Sequence, residues 1–211
     1  MTHQSSETPL SIRPLDPKDF GKVVDFAITG MHFDWYLKNG FLRKVYGRYF
    51  LYLELCKSSQ VIAAYDGDSL AGVLMANMEG KPNPYATPFR KAFIRVVERI
   101  QDRFFSDSVG VYDAANREML EAYLADNRPD GELDFLAADP DSKGRGTGTV
   151  LLNELARQEP GKEIYLYTDN ACTYQFYEHR GFDRVGERDI VLDLGPDRKV
   201  PLTCLLYRKK L

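Results

Sequence analysis

Three glycines at alternate positions, Gly144, Gly146 and Gly148, stand between the apolar run Leu133–Ala138 and a second one that begins at Val150. Side chains are missing where a helix begins. A helix start carries unpaired backbone N–H groups and a partial positive charge, so a bare one is a ready anion site. A pyrophosphate is the natural guest. Two nucleotide motifs fail here. A P-loop needs Lys then Ser or Thr after its last glycine, but Thr149 and Val150 follow Gly148 and Lys143 precedes the glycines. A dinucleotide fingerprint needs a third small residue, and that position is Thr149 or Leu151.

The order Leu136-x-Ala138-x-Pro140-x-x-Lys143-x-x-Gly146-x-Gly148 resembles the acyl-CoA loop of the GNAT N-acetyltransferase superfamily, with Lys143 where Gln or Arg is usual. Thr168–Phe182, after the strand-like run Ile164–Tyr167, is similar to the family's second motif. Asn170, Phe176, Tyr177, Gly181 and Phe182 match it, and Thr173 replaces an alanine. The two motifs occur in the family's order and cover Glu132–Phe182, about a quarter of the chain.

The resemblance implies an α/β (α+β) GNAT fold: a mixed, mostly antiparallel central sheet flanked by helices. It also implies acetyl-CoA as co-substrate and no metal. The cofactor would lie along Leu136, Ala137 and Ala138, whose strand splays from its neighbour in the family. Lys143, Gly144, Arg145, Gly146, Thr147, Gly148 and Thr149 would cradle its diphosphate. Asn170 would meet the pantetheine arm or brace its own helix, since Asn is a favoured N-cap. Tyr177 stands where the family has a tyrosine facing the thioester sulfur, so it is the candidate acid. Glu132 is the candidate base, with Asp134 in reserve. Strand alternation puts Glu132, Asp134 and Leu136 on one face.

The implied function is acetyl transfer to a primary amine, on a small molecule, by direct attack in a ternary complex. The alternatives are a protein N-acetyltransferase and a non-catalytic acyl-CoA-binding or regulatory module. Net charge is −3, against the basic face of a nucleic-acid binder. Cys56, Cys172 and Cys204 are odd in number and scattered, which fits a reducing, cytoplasmic setting. No membrane partner is expected.

The elements that must hold these groups follow from spacing. Residues 1–10 read as a flexible tail and 11–211 as one acyltransferase domain. Ser11–Leu15 reads as a strand, and Asp16-Pro17 starts a helix that ends near Gly30. Leu42, Val45, Tyr46, Tyr49, Phe50 and Leu53 form a helical core stripe. Asp66–Ser69 turns a hairpin. A helical insertion over about 80–130 precedes the cofactor strand. In it Phe89, Ala92, Phe93, Val96, Val97 and Ile100 mark one face of a helix reaching about Phe105, and a second helix covers Asn116–Ala125. The insertion either borders the acceptor site or forms a homodimer contact. His32, Trp35, Tyr36, Tyr85 and Tyr112 are candidate walls of an acceptor pocket. Arg184–Leu194 and Leu202–Arg208 close the sheet across the turn Gly195–Asp197.

Overall fold

The computed structural model describes residues 9–101, 109–142, 144–195 and 198–211. Most of the expected tail, the end of the first insertion helix near Phe105, Lys143 and two residues of the last turn lie outside them.

Seven strands form one sheet in the order β1-β2-β3-β4-β5-β7-β6. They are β1 (Ser11–Arg13), β2 (Gln60–Asp66), β3 (Ser69–Met78), β4 (Gly131–Ala138), β5 (Glu163–Asp169), β6 (Asp183–Asp193) and β7 (Lys199–Lys210). All pairings are antiparallel except β4 with β5. The β2–β3 hairpin turns at Gly67, whose φ of 56° a side chain would resist.

On one face lie α1 (Phe20–Gly30), α2 (Phe33–Tyr36) and α3 (Gly40–Lys57). Pro17–Asp19 leads into α1 as a 3-10 turn capped by Asp16, whose carboxylate accepts from Lys18 N–H at 2.9 Å. These helices bury Val23, Val24, Ala27, Leu51 and Leu55 against Val73, Met75 and Phe135 of the sheet. The core stripe of α3 is rotated from the expected one. Gly47, Leu51, Glu54 and Leu55 are its buried residues, while Leu42 is 48% exposed. The cause is Gly47, where a Cβ would lie 2.8 Å from Val24 Cγ1, so α1 approaches along that line.

The opposite face carries α6 (Thr147–Gln158), which buries Leu151, Leu152 and Leu155 against Leu133, Ile164, Leu166 and Leu205. The insertion forms α4 (Pro88–Gln101) and α5 (Val109–Leu124). The second helix thus starts seven residues before its expected beginning. Ala115, Met119 and Tyr123, one turn apart each, bury against Cys204 and Leu206 of β7, beside Tyr165 and Tyr167 of β5. Those β5 residues alternate with the Ile164 and Leu166 that face α6, so α5 shares the α3 side of the sheet.

One irregularity matters most. Ala76 pairs with Leu133 and Met75 with Phe135, so Asp134 is an extra residue in β4, a β-bulge. Leu133 packs on the α6 side, yet Phe135, two residues on, packs on the α3 side. The expected shared face of Glu132, Asp134 and Leu136 is therefore broken. Glu132 and Asp134 turn toward α3, and Leu136 joins the α6 side.

Helix α6 is seated on the sheet through Gly72 of β3. A Cβ there would lie 2.7 Å from Thr147 Cγ2 and 2.8 Å from the Ala137 carbonyl oxygen. Gly72→Ala is expected to cost about 1–3 kcal/mol by overpacking. A urea titration checks it, with a lower midpoint at unchanged slope.

Candidate active site

Strands β4 and β5 pair only at Gly131↔Ile164 and Glu132↔Tyr165. From Leu133 onward they part. On its other edge β4 stays bonded to β3 as far as Ala138↔Gly72. Leu136, Ala137 and Ala138 therefore present one edge to β3 and the other to an opening wedge. Buried or half-buried backbone groups need partners, and this free edge offers them to an extended amide chain.

The glycine segment stands at the far end of the same strand. Gly144 has φ 90° and Gly146, the N-cap of α6, has φ 69°. A Cβ on either would meet no heavy atom within 4 Å, so both face open ground. The first helical bond here is Val150 N–H to Gly146 C=O at 3.0 Å. The N–H groups of Thr147, Gly148 and Thr149 precede it and project from the helix start. These features fit a diphosphate. Thr147 is buried, with its Oγ1 enclosed and without a protein partner. Arg145 pairs with Asp66.

Gly148 serves a different end. A Cβ there would lie 2.8 Å from the Phe176 ring. Phe176 belongs to α7 (Gln175–Glu178), the short helix that follows β5. Arg180 lies over the same ring at 5.0 Å and donates from Nε to Thr149 Oγ1 at 2.9 Å. Reading along the chain missed Arg180, because its contact with α6 is tertiary.

Tyr177 also stands on α7, across the wedge. Its ring packs against Phe176, Phe182 and Tyr207. Among the described residues its hydroxyl has no hydrogen-bond partner. Burial, then the nearby Cys172, raises its pKa, so the phenol keeps its proton. Asn170 neither caps α7, whose N-cap is Tyr174, nor braces that helix. Its Oδ1 accepts from Thr203 N–H of β7 at 3.0 Å. Asp169 makes the turn instead, accepting from Ala171 and Cys172 N–H at 2.9 and 3.1 Å.

Acidic groups gather on the α3 side of β4, at the start of the wedge. Glu132 accepts from the Tyr165 hydroxyl at 2.9 Å. Glu54 of α3 is buried and meets Lys57 at 3.4 Å. Asp134 is half-buried, and its Oδ2 is enclosed without a partner. Burial, then Glu132 and Glu54, pushes Asp134 up to about 8, with Lys57 opposing. Glu54 and Glu132 are also raised, chiefly by burial. Burial works against the charge on Lys57, but Glu54, Asp134 and Glu132 together raise its pKa. No motif announces Glu54 or Lys57. Their helical positions read as core and solvent face.

Of the candidate aromatic walls, four gather near the end of β5. His32 stacks on Trp35 at 4.5 Å and its Nε2 meets Ala171 C=O at 3.3 Å. Tyr112 donates to Asp169 at 3.1 Å, and Tyr36 senses the same carboxylate. Tyr85 is elsewhere, beside Arg90 and the core of α1 and α3. His179 is exposed.

The comparisons agree with this geometry. Several solved structures share the fold at low identity. One is a histone acetyltransferase HPA2 and related acetyltransferase from Corynebacterium glutamicum, with TM-score 0.56 and 18% identity over 94% of this chain and 96% of that one. Another is an agmatine N-acetyltransferase, with TM-score 0.57 and 10% identity over 97% and 100%. A third is PaiA N-acetyltransferase from Thermoplasma acidophilum in complex with coenzyme A, with TM-score 0.50 and 15% identity over 97% and 100%. No curated protein matches the chain. The model of the acetyltransferase (GNAT) family matches residues 31–182. With its mostly antiparallel sheet, the wedge between β4 and β5 and the glycine-capped α6, the chain belongs to that family of acetyl-CoA-dependent N-acetyltransferases.

Proposed function

We propose that the protein acetylates the primary amine of a small cationic molecule by direct attack within a ternary complex. The observation that carries the proposal is the acidic cluster where α3 packs over β4. It brings Glu54, Glu132 and Asp134 around Lys57 at the point where β4 leaves β5. Such a lining is short of positive charge, and an ammonium group supplies it. Holding amine and thioester together makes a covalent enzyme intermediate unnecessary.

Acetyl-CoA supplies the activated acetyl group. Leu136–Ala138 would hold its amide arm along the free edge of β4. Lys143 and Gly144–Thr149 would hold the diphosphate. Asp134 accepts a proton from the ammonium group, freeing the nitrogen lone pair. The nitrogen bonds to the acetyl carbon, the carbon–sulfur bond breaks, and Tyr177 protonates the departing sulfur. Solvent then returns the proton from Asp134 to Tyr177. Glu132 was the first expectation for the base. We assign that role to Asp134 because Glu132 is held by Tyr165 within the last paired rung, whereas Asp134 is on the bulge with bonding capacity unspent. Glu132 then acts on Asp134 by charge repulsion, keeping it basic enough to compete for an ammonium proton. The decisive experiment is thiol release from acetyl-CoA across a panel of amines. Diamines are expected to turn over fastest, and equal rates with uncharged and cationic acceptors would overturn the cationic assignment.

Three outcomes follow for variants. Tyr177→Phe is expected to lower kcat by about 10²–10⁴ while leaving coenzyme A affinity almost unchanged; stopped-flow rates and calorimetry separate the two. Gly146→Leu forces a branched side chain into a left-handed backbone and over the helix start. Calorimetry should show coenzyme A binding weakened at least ~tenfold, with Tyr177 chemistry untouched at saturation.

The third concerns pH. An unfolded Asp titrates near 3.9, and folding raises Asp134 to about 8. Between those values the folded state binds a proton that the unfolded state does not. Stability of the unliganded protein therefore falls as pH rises from about 4 to about 8. Asp134→Asn is expected to flatten that fall, raising Tm at about pH 8 by a few degrees and far less at about pH 5. The same variant should lose the rise of kcat/KM toward pH 8. An unchanged pH profile would remove Asp134 from the proton path.

A further inference from the structure

We propose that α4 is a surface anchor for an anionic lipid bilayer. One border of its apolar stripe meets α3, where Tyr52 touches Phe89 and Phe93, and the rest is not used by the fold. Only Ile94 is buried, while Phe89, Val96 and Ile100 are 69%, 55% and 54% exposed. At about 100° per residue, Ala92, Val96, Phe89 and Ile100 span roughly 80° of the helix surface. Arg95 and Arg99 follow along one border of that strip, with Lys91 beyond them. All three cations are exposed, and none has an ion-pair partner among the described residues. No helix of the described residues is long and apolar enough to cross a membrane. Lying on one needs only an apolar strip bordered by cations.

The charges choose the occupant. An antiparallel two-fold pairing with a second copy through this strip would set each Arg95–Arg99 border against its own counterpart. Like charges would face one another, with Glu98 on the far side of the helix. The strip is a convex ridge, not a groove, so it offers a peptide no walls. A bilayer interface needs no shape match. It takes apolar side chains below the headgroups and meets arginines with phosphates.

The test is flotation of the full chain with vesicles of phosphatidylcholine alone or with about one third phosphatidylglycerol. Binding is expected only with phosphatidylglycerol, and it should weaken steeply as salt rises. Two double variants, Arg95→Glu with Arg99→Glu, and Val96→Ser with Ile100→Ser, should each lower the bound fraction at least ~tenfold while thermal melting and acetyl transfer in solution stay unchanged. Absence of binding at low salt, or binding that both variants leave intact, overturns the proposal. So does a drop in sedimenting mass of the Val96→Ser, Ile100→Ser protein without lipid, which would give the strip to a second copy.

Discussion

A sheet whose central strands stop pairing must find other partners for the backbone it exposes. Here β4 and β5 separate after two rungs, and the residues proposed for acetyl transfer lie along the two arms of the resulting wedge. The β4 arm runs through the bulge at Asp134 and ends at the bare start of α6. The β5 arm ends at the turn built by Asp169 and leads to Tyr177 on α7. In the proposed reaction a cofactor lying between the arms would take up the bonding groups that β4 leaves exposed, so that binding would complete the sheet.

The width of the wedge is fixed by contacts between α6 and α7, not by the strands. Phe176 fills the space a Cβ on Gly148 would take, Arg180 lies over Phe176, and the same guanidinium is bonded to Thr149. One glycine thus serves packing, while its neighbour Gly146 serves backbone conformation and access. These contacts tie the start of α6 to α7, the helix that carries Tyr177. Such rigidity suits a reaction in which orientation of two substrates contributes much of the rate.

Much of this was legible in the residues because it is local. The order of strands and helices, the hairpin at Gly67, the glycine-capped α6 and the tyrosine of the second motif all follow from short-range patterns. What escaped is tertiary. Alternation along β4 put Glu132 and Leu136 on one face. A bulge shifts that parity by one residue, and no residue type in Leu133–Phe135 marks it. Asn170 reads as a cap from its type, but β7 claims its oxygen. Glu54 and Lys57 look like ordinary helix positions. Only the packing of α3 over β4 turns them into the neighbours that decide how Asp134 titrates.

The two helices of the insertion show why an apolar stripe alone does not say what it will cover. In α5 the residues Ala115, Met119 and Tyr123 face strands β5 and β7, packing with Tyr165, Cys204 and Leu206. Helix α5 thus covers a part of the sheet. Helix α4 has no such surface left. Tyr52 of α3 takes the edges of Phe89 and Phe93, Ile94 is buried, and the rest of the stripe stays outside beside its arginines. Exposed large side chains in such a row carry a standing cost in solubility. Such a row beside cations that have no ion-pair partner among the described residues suits the external surface proposed above, and the acidic cluster on the α3 side of the sheet is not that surface, because its carboxylates gather around Lys57.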